Sequence, residues 1–223
     1  MEITYAVFFD MDGTLLQTEK LAVPAFQRTF VDLQAQKLWT GPTPSVDQLT
    51  NVLGMTISQL WEKLLPGTND QLKEMANESM LKHEKELLKE GVCDLYPGVR
   101  EQLERLKNTG IALFVASNGV EEYVEAVCQH FQLHSLFTDL YSAGRFQTKS
   151  KKDLVAKLLA DYPSKQAVMV GDRHSDVEAG KLNGLFTIGC DFGFAKEGEL
   201  DGADVIIRHF TELAAYLPFP VGK

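Results

Sequence analysis

Long apolar runs are missing from this chain of 223 residues. Stretches such as Tyr5–Phe9 and Ile111–Ala116 stop after five or six residues, whereas a membrane-spanning helix needs ~20. The amino-terminal Met-Glu-Ile-Thr-Tyr has neither a basic cluster nor an apolar stretch, so no signal peptide is expected. Cysteine is scarce: Cys93, Cys128 and Cys190 are odd in number, far apart and form no C-x-x-C pair. A disulfide framework or zinc site is therefore not expected, and reduced thiols fit a cytoplasmic location. Basic charge is in deficit, with 22 Lys and Arg against 31 Asp and Glu and a net charge of −9. A nucleic-acid backbone demands the opposite balance. P-loop, G-x-G-x-x-G and H-E-x-x-H motifs are absent, which removes the commonest kinase, dehydrogenase and metalloprotease readings. What is there, 44% apolar and 24% charged residues, suits a folded chain and is too apolar for wholesale disorder. A cytoplasmic globular protein is expected, a monomer or homodimer that engages neither membrane nor nucleic acid.

The apolar runs that do exist share one form. Ile3–Phe9 is unalternating and ends abruptly at Asp10-Met-Asp-Gly-Thr, as a buried parallel strand does. Ile111–Ala116 ends at Ser117-Asn-Gly, and Ala167–Val170 ends at Gly171-Asp172. Weaker runs follow at Leu185–Ile188 and Ala203–Ile207. Helical patterns lie among them at Val99–Asn108, Glu121–Phe131, Lys152–Ala160 and Asp176–Leu182. Strands alternating with ten-residue helices predict a doubly wound α/β core with a parallel sheet.

One stretch breaks the alternation. From Leu16 to Cys93 no strand pattern is visible, only helical spacing punctuated by Trp39-Thr-Gly-Pro-Thr-Pro44 and Pro66-Gly-Thr-Asn69. Leu72, Met75, Ala76, Met80, His83 and Leu87 recur at helical spacing up to Glu90-Gly91, which predicts a long amphipathic helix stopped by glycine. The expected organisation is an α/β core of residues 1–15 and 95–223 with a small all-helical cap, 16–94, inserted after the first strand. Such an insertion should lie over the carboxyl edge of the sheet, as a lid.

Open α/β sheets bind ligands outside the carboxyl ends of their strands. Those ends carry Asp10 and Asp12, Ser117 and Asn118, and Asp172 with Asp176. Each alone reads as turn or cap chemistry. Together, clustered carboxylates repel unless a cation or proton compensates them, and hard oxygen donors favour magnesium.

These residues resemble the haloacid dehalogenase superfamily of phosphatases. Asp10-Met-Asp12-Gly13-Thr14 matches its D-x-D-G-T signature, Ser117 its second motif, and Gly171-Asp172-Arg-His-Ser-Asp176 its G-D-x-x-x-D motif. The helical insertion is similar to the cap of the phosphoglycolate phosphatase and β-phosphoglucomutase branch. The resemblance implies Asp10 as nucleophile, Asp12 as general acid and base, and a lysine that neutralises charge. That lysine is Lys149 or Lys151 according to how the proline-free Thr148-Lys-Ser-Lys-Lys-Asp153 is aligned. Lys151 is preferred, at the opening of a helix. The resemblance further implies Mg2+ held by Asp10, the main-chain carbonyl of Asp12 and Asp172, with Asp176 completing or orienting the site. Ser117 and Asn118 would bind phosphoryl oxygens, and Thr14 would support the loop. The expected activity is hydrolysis of a small phosphorylated metabolite through an aspartyl-phosphate. A phosphomutase, or an idle binding relative, is the alternative. Trp39, Trp61 and His83 are read as packing residues. His174 is open between substrate contact and exposure, Glu19 between a cleft role and a first-turn acid, and Gln17 stands where relatives often carry Asp.

Overall fold

The computed structural model describes residues 3–193 and 195–221. The chain forms two compact units, one running to Leu16 and resuming at Leu95, the other spanning Gln17–Asp94. Its elements, in order, begin with strand β1 (Ile3–Phe9). Four helices follow: α1 (Glu19–Ala35), α2 (Val46–Thr50), α3 (Ile57–Leu64) and α4 (Asp70–Glu90). Then come α5 (Val99–Asn108), β2 (Ala112–Ser117), α6 (Glu121–His130), β3 (Asp139–Ser142), α7 (Ala143–Phe146) and α8 (Lys151–Asp161). The chain closes with β4 (Ser164–Gly171), α9 (His174–Leu182), β5 (Phe186–Cys190), β6 (Val205–Ile207) and α10 (Leu213–Tyr216).

The six strands form one parallel sheet in the order β3-β2-β1-β4-β5-β6. Both faces are covered, which is why the strands read as unbroken apolar runs. Phe8 turns to a face built with Phe114, Leu154, Leu158 and Met169, its ring edge-on to Phe114 at 5.5 Å. Phe9 turns to the other face and packs 6.0 Å from Phe210. Truncating either buried ring to alanine should cost about 3–5 kcal/mol.

Three expectations shift in detail. β3 has no counterpart in the sequence reading: Asp-Leu-Tyr-Ser is short, pairs only with β2, and lies at the sheet edge. α8 and α9 begin one and two residues earlier than read, because Ser150 caps α8 by accepting from Asp153 N–H and the Arg173–Asp176 turn starts α9. β4 begins at Ser164, three residues early, since its polar start lies outside the apolar core.

The Gln17–Asp94 unit contains only helices. α1 and α4 bury Leu21, Phe26, Phe30 and Leu33 with Ala76, Met80 and Leu87. Asn69 caps α4 at one end, and Gly91, at φ 70°, ends it as the sequence expects. Trp61 is core, edge-on to Phe26 at 5.8 Å. Trp39 departs from the core reading. It packs edge-on to Phe30 at 6.1 Å but is only half-buried, and it lines a cavity of about 410 Å³ with Pro42, Pro44, Lys63 and Pro66. Among the described residues, no helix is long and apolar enough to cross a membrane.

Candidate active site

Register brings the site together before any side chain does. Phe9 lies opposite Val115 of β2 and Val170 of β4. Asp10 therefore leaves the sheet level with Ala116 and Gly171, with Ser117 and Asp172 one residue further on. β1 and β4 are also where the strand order reverses direction, the place where open parallel sheets leave a crevice.

Asp10, Asp172 and Asp176 present carboxylate oxygens all within 4.8 Å of one another, and all three residues are buried. Into this group reaches Lys151 from the first turn of α8, 3% exposed. Its Nζ donates to Asp10 Oδ1 and, at 2.7 Å, to the carbonyl of Ala116, and stands 3.1 Å from Asp176 Oδ1. Lys149 is exposed. Of the two lysines left open by the sequence, only Lys151 meets the carboxylates.

Electrostatics at the cluster are extreme. Burial pushes the Asp10 carboxyl up, Lys151 pulls it down and Asp12 pushes it up again, for a net rise. Burial, then Asp10 and Asp176, drive Asp172 well above the usual carboxylate range. Burial raises Asp176 to about 6 against the pull of Lys151. Burial alone would depress the Lys151 ammonium, but Asp10 and Asp176 outweigh it and hold it above the ordinary lysine value. The Lys151 ammonium and the Arg173 guanidinium set two positive charges against three carboxyls, so positive charge is in short supply.

Small residues make this crowding possible. Gly13 sits at φ +80°, and a Cβ there would lie 2.2 Å from Asp172 Oδ2. A Cβ at Gly171 would lie 2.3 Å from that of Asp176. Thr14 is buried and donates to Asp172 Oδ1 at 3.3 Å. Asp176 is fixed by the Arg173 N–H, which donates to its Oδ2 at 3.0 Å.

The remaining expected residues are arranged around this group. Asp12 is half-buried and lies outside the carboxylate cluster; its Oδ1 accepts from the hydroxyl of Tyr123 on α6 at 2.6 Å. Ser117 is fully buried, its Oγ accepting from Gly119 N–H at 3.0 Å, and Asn118 beside it is buried too. His174 is exposed. His83 is buried in the helical unit, its Nε2 2.7 Å from Asp32 Oδ2. Glu19 is half-buried there, and burial raises its carboxyl. Burial also lifts the thiols of Cys190, well above its usual range, and Cys128, to about 12, which keeps both unreactive.

Two residues of this region went unread in the sequence. Tyr123 looked like an ordinary helix residue. Arg173, within the G-D-x-x-x-D motif, places Nε 3.2 Å from Asp172 Oδ2. The available signal was position: one in the first turn after the Ser117 loop, the other next to a strand-end aspartate.

Residues 7–190 match the family model described as haloacid dehalogenase-like hydrolase. The chain belongs to that family. It is similar to a phosphoglycolate phosphatase of Aquifex aeolicus, 29% identical across 85% of this chain and 86% of that one. Another relative, from Aliivibrio fischeri and also named phosphoglycolate phosphatase, is 26% identical across 95% of each chain. Among solved structures, CbbY from Rhodobacter sphaeroides in complex with phosphate superposes with a TM-score of 0.78 at 26% identity, covering 95% of this chain and 96% of that one. These findings put the chain on the phosphatase branch of the haloacid dehalogenase-like hydrolases, as a phosphoric monoester hydrolase.

Two left-handed glycines, Gly13 at the site and Gly110 ahead of β2, give a first expected result. Gly110→Ala, at φ +81° with open space around it, should cost only backbone strain, about 1 kcal/mol, and leave turnover unchanged. Gly13→Ala has the same backbone strain plus the clash with Asp172, and should lower kcat by about 100-fold. Urea melts and phosphate release on both variants separate the two effects.

Proposed function

We propose that the protein is a magnesium-dependent phosphatase that hydrolyses a small phosphorylated metabolite through an aspartyl-phosphate on Asp10. The observation that carries this reading is the buried meeting of Lys151 with Asp10 and Asp176 beside Asp172. A bare carboxylate repels a phosphate; an ammonium fixed on the attacking group reduces that repulsion where the dielectric is low. The donor set also fits a small hard cation. Three carboxyls converge, only Lys151 and Arg173, the latter with Nε 3.2 Å from Asp172 Oδ2, bring positive charge to them among the described residues, and burial penalises all three as anions. Asp10, Asp172 and the main-chain carbonyl of Asp12 would hold the ion, with Asp176 completing or orienting the site. Bound there, magnesium supplies neutralisation of phosphoryl charge.

The chain's own residues account for the rest. An oxygen of Asp10 attacks phosphorus while the bond to the leaving oxygen breaks, and Asp12 gives that oxygen its proton. Asp12 then takes a proton from water as the water oxygen attacks phosphorus, and the bond to Asp10 breaks. Lys151 orients Asp10 and favours its ionised form before attack. The Ser117 hydroxyl and Asn118 bind phosphoryl oxygens, and Thr14 orients Asp172. The helical unit, inserted just after the D-x-D loop, is the candidate for choosing the substrate. The names of the relatives make 2-phosphoglycolate the first compound to try.

Phosphate release from 2-phosphoglycolate, hexose monophosphates and p-nitrophenyl phosphate, with magnesium or with excess chelator, tests the reading. Steady release without any bisphosphate activator is expected, lost in chelator and restored by magnesium. Undiminished release in chelator would sink the metal assignment. Sugar-phosphate isomerisation that outruns release and requires a bisphosphate would replace water by a sugar hydroxyl and make the enzyme a mutase.

Metal should also register without turnover. Asp176 titrates at about 6 in the folded chain against an ordinary 3.8, so the folded metal-free protein binds that proton more tightly than the unfolded one. Its stability therefore falls as pH rises from 3.8 to about 6. A cation offsets the loss. The magnesium-induced rise in melting temperature is expected to be large at pH 7.5 and to shrink toward pH 5.

A further inference from the structure

We propose that Tyr123 is a positioning residue that assigns the two oxygens of Asp12 different jobs. This inference rests on the reading of Asp12 as the group that gives and takes the proton. The Tyr123 hydroxyl donates to Asp12 Oδ1 at 2.6 Å, across 111 residues of sequence and from a ring that is 5% exposed. A carboxyl group has two oxygens, and an acid catalyst must carry its proton on the one aimed at the leaving group. With Oδ1 engaged by a phenol donor, the mobile proton is confined to Oδ2. In the first half-reaction the proton leaves Oδ2 for the leaving oxygen; in the second, a water proton returns to Oδ2. Tyr123 keeps its own proton in both.

The surroundings of Tyr123 hold it to this task. A Cβ added to Gly119 would lie 3.2 Å from Tyr123 Cδ1 and 3.3 Å from Ser117 Oγ. The bare glycine thus lets the tyrosine ring close against the phosphate-binding loop. The same glycine's carbonyl accepts from Gly144 N–H at 3.1 Å, and a Cβ on Gly144 would lie 2.7 Å from Val120 Cα. The loop that starts α6 is therefore clamped between β2 and α7, and the phenol has little freedom to leave Asp12. A carboxyl group held by a 2.6 Å hydrogen bond from a buried phenol is pre-organised for transfer.

The test compares Tyr123→Phe with the parent on phenyl phosphate and p-nitrophenyl phosphate, two esters of nearly the same shape and very different leaving-group quality. Phenyl phosphate needs the acid far more. The expected result is a fall in kcat/KM, which reports the first half-reaction alone, of about tenfold or more on phenyl phosphate and a much smaller fall on p-nitrophenyl phosphate. The ratio of the two kcat/KM values does not depend on how much of the variant is folded, so a stability loss cannot imitate it. In an Asp12→Asn background, Tyr123→Phe should have no further effect on phenyl phosphate. Equal losses on the two esters, or an additive double variant, would reduce Tyr123 to a packing residue and overturn the inference while leaving the role of Asp12 intact. Unchanged phenyl phosphate turnover in Asp12→Asn would instead overturn the reading of Asp12 itself, and the inference with it.

Discussion

Asp10→Asn is expected to lower kcat by about four orders of magnitude or more while the protein still folds. An amide is too poor a nucleophile to form the acyl-phosphate, and no neighbouring carboxylate leaves the sheet where Asp10 does. The folded chain should tolerate the change well. Burial and Asp12 hold the Asp10 carboxyl above its ordinary 3.8, so ionising it costs the native protein more than it costs the unfolded chain. For a carboxyl raised in this way, stability is highest below 3.8 and is lost as pH rises through the folded value. Asparagine removes that loss. In chelator at pH 7.5 the melting temperature of Asp10→Asn should equal or exceed that of the parent, and the two should converge toward pH 4. A calorimetric pH series on the metal-free proteins checks this.

Lys151→Met should have the opposite balance, abolishing turnover and destabilising as well. Methionine keeps the unbranched shape but removes the only ammonium in contact with Asp10 and Asp176 among the described residues. It also leaves the Ala116 carbonyl without its Lys151 donor. Removing one partner of a buried ion pair costs about 3–5 kcal/mol because the remaining charge stays buried. Lys151 pulls Asp10 and Asp176 down, so without it both carboxyls rise further. The variant's deficit should therefore be greatest near pH 7.5 and shrink near pH 5, where protonated carboxyls need no partner. Lys149→Met, at an exposed position, should stay within about 0.5 kcal/mol of the parent and keep its activity. Urea melts at the two pH values, with phosphate release at the higher, distinguish the two lysines. An inactive Lys149→Met beside an active Lys151→Met would reverse the assignment.

Much of this was legible because strand-end chemistry is local. Asp10, Ser117 and Asp172 each follow an unbroken apolar run, so their placement at one sheet edge needed only the rule that parallel strands share a direction. The glycine stop of α4 was legible for the same reason. β3 was not: in Asp139-Leu-Tyr-Ser142 two of four residues are polar, and its existence depends on pairing with β2. The choice between Lys149 and Lys151 depended on where α8 begins, and three lysines in four residues hid the Ser150 cap that decides it. Tyr123 was invisible for a different reason. Its hydroxyl meets Asp12 only once α6 has docked beside the loop after β1, and no periodicity within α6 encodes that meeting.

The central claim is that a phosphoryl group passes through Asp10. Acid quench during turnover with magnesium and p-nitrophenyl phosphate, followed by mass spectrometry of the peptide containing Asp10, reads it directly. The Asp12→Asn variant should accumulate the intermediate, because it forms the acyl-phosphate from a good leaving group but activates water poorly. That peptide should gain the mass of one phosphoryl group at Asp10, to a higher level in Asp12→Asn than in the parent, and none should appear in Asp10→Asn. Turnover by the parent with no phosphoryl group on Asp10 in either protein, or with the added mass at another residue, would contradict the account.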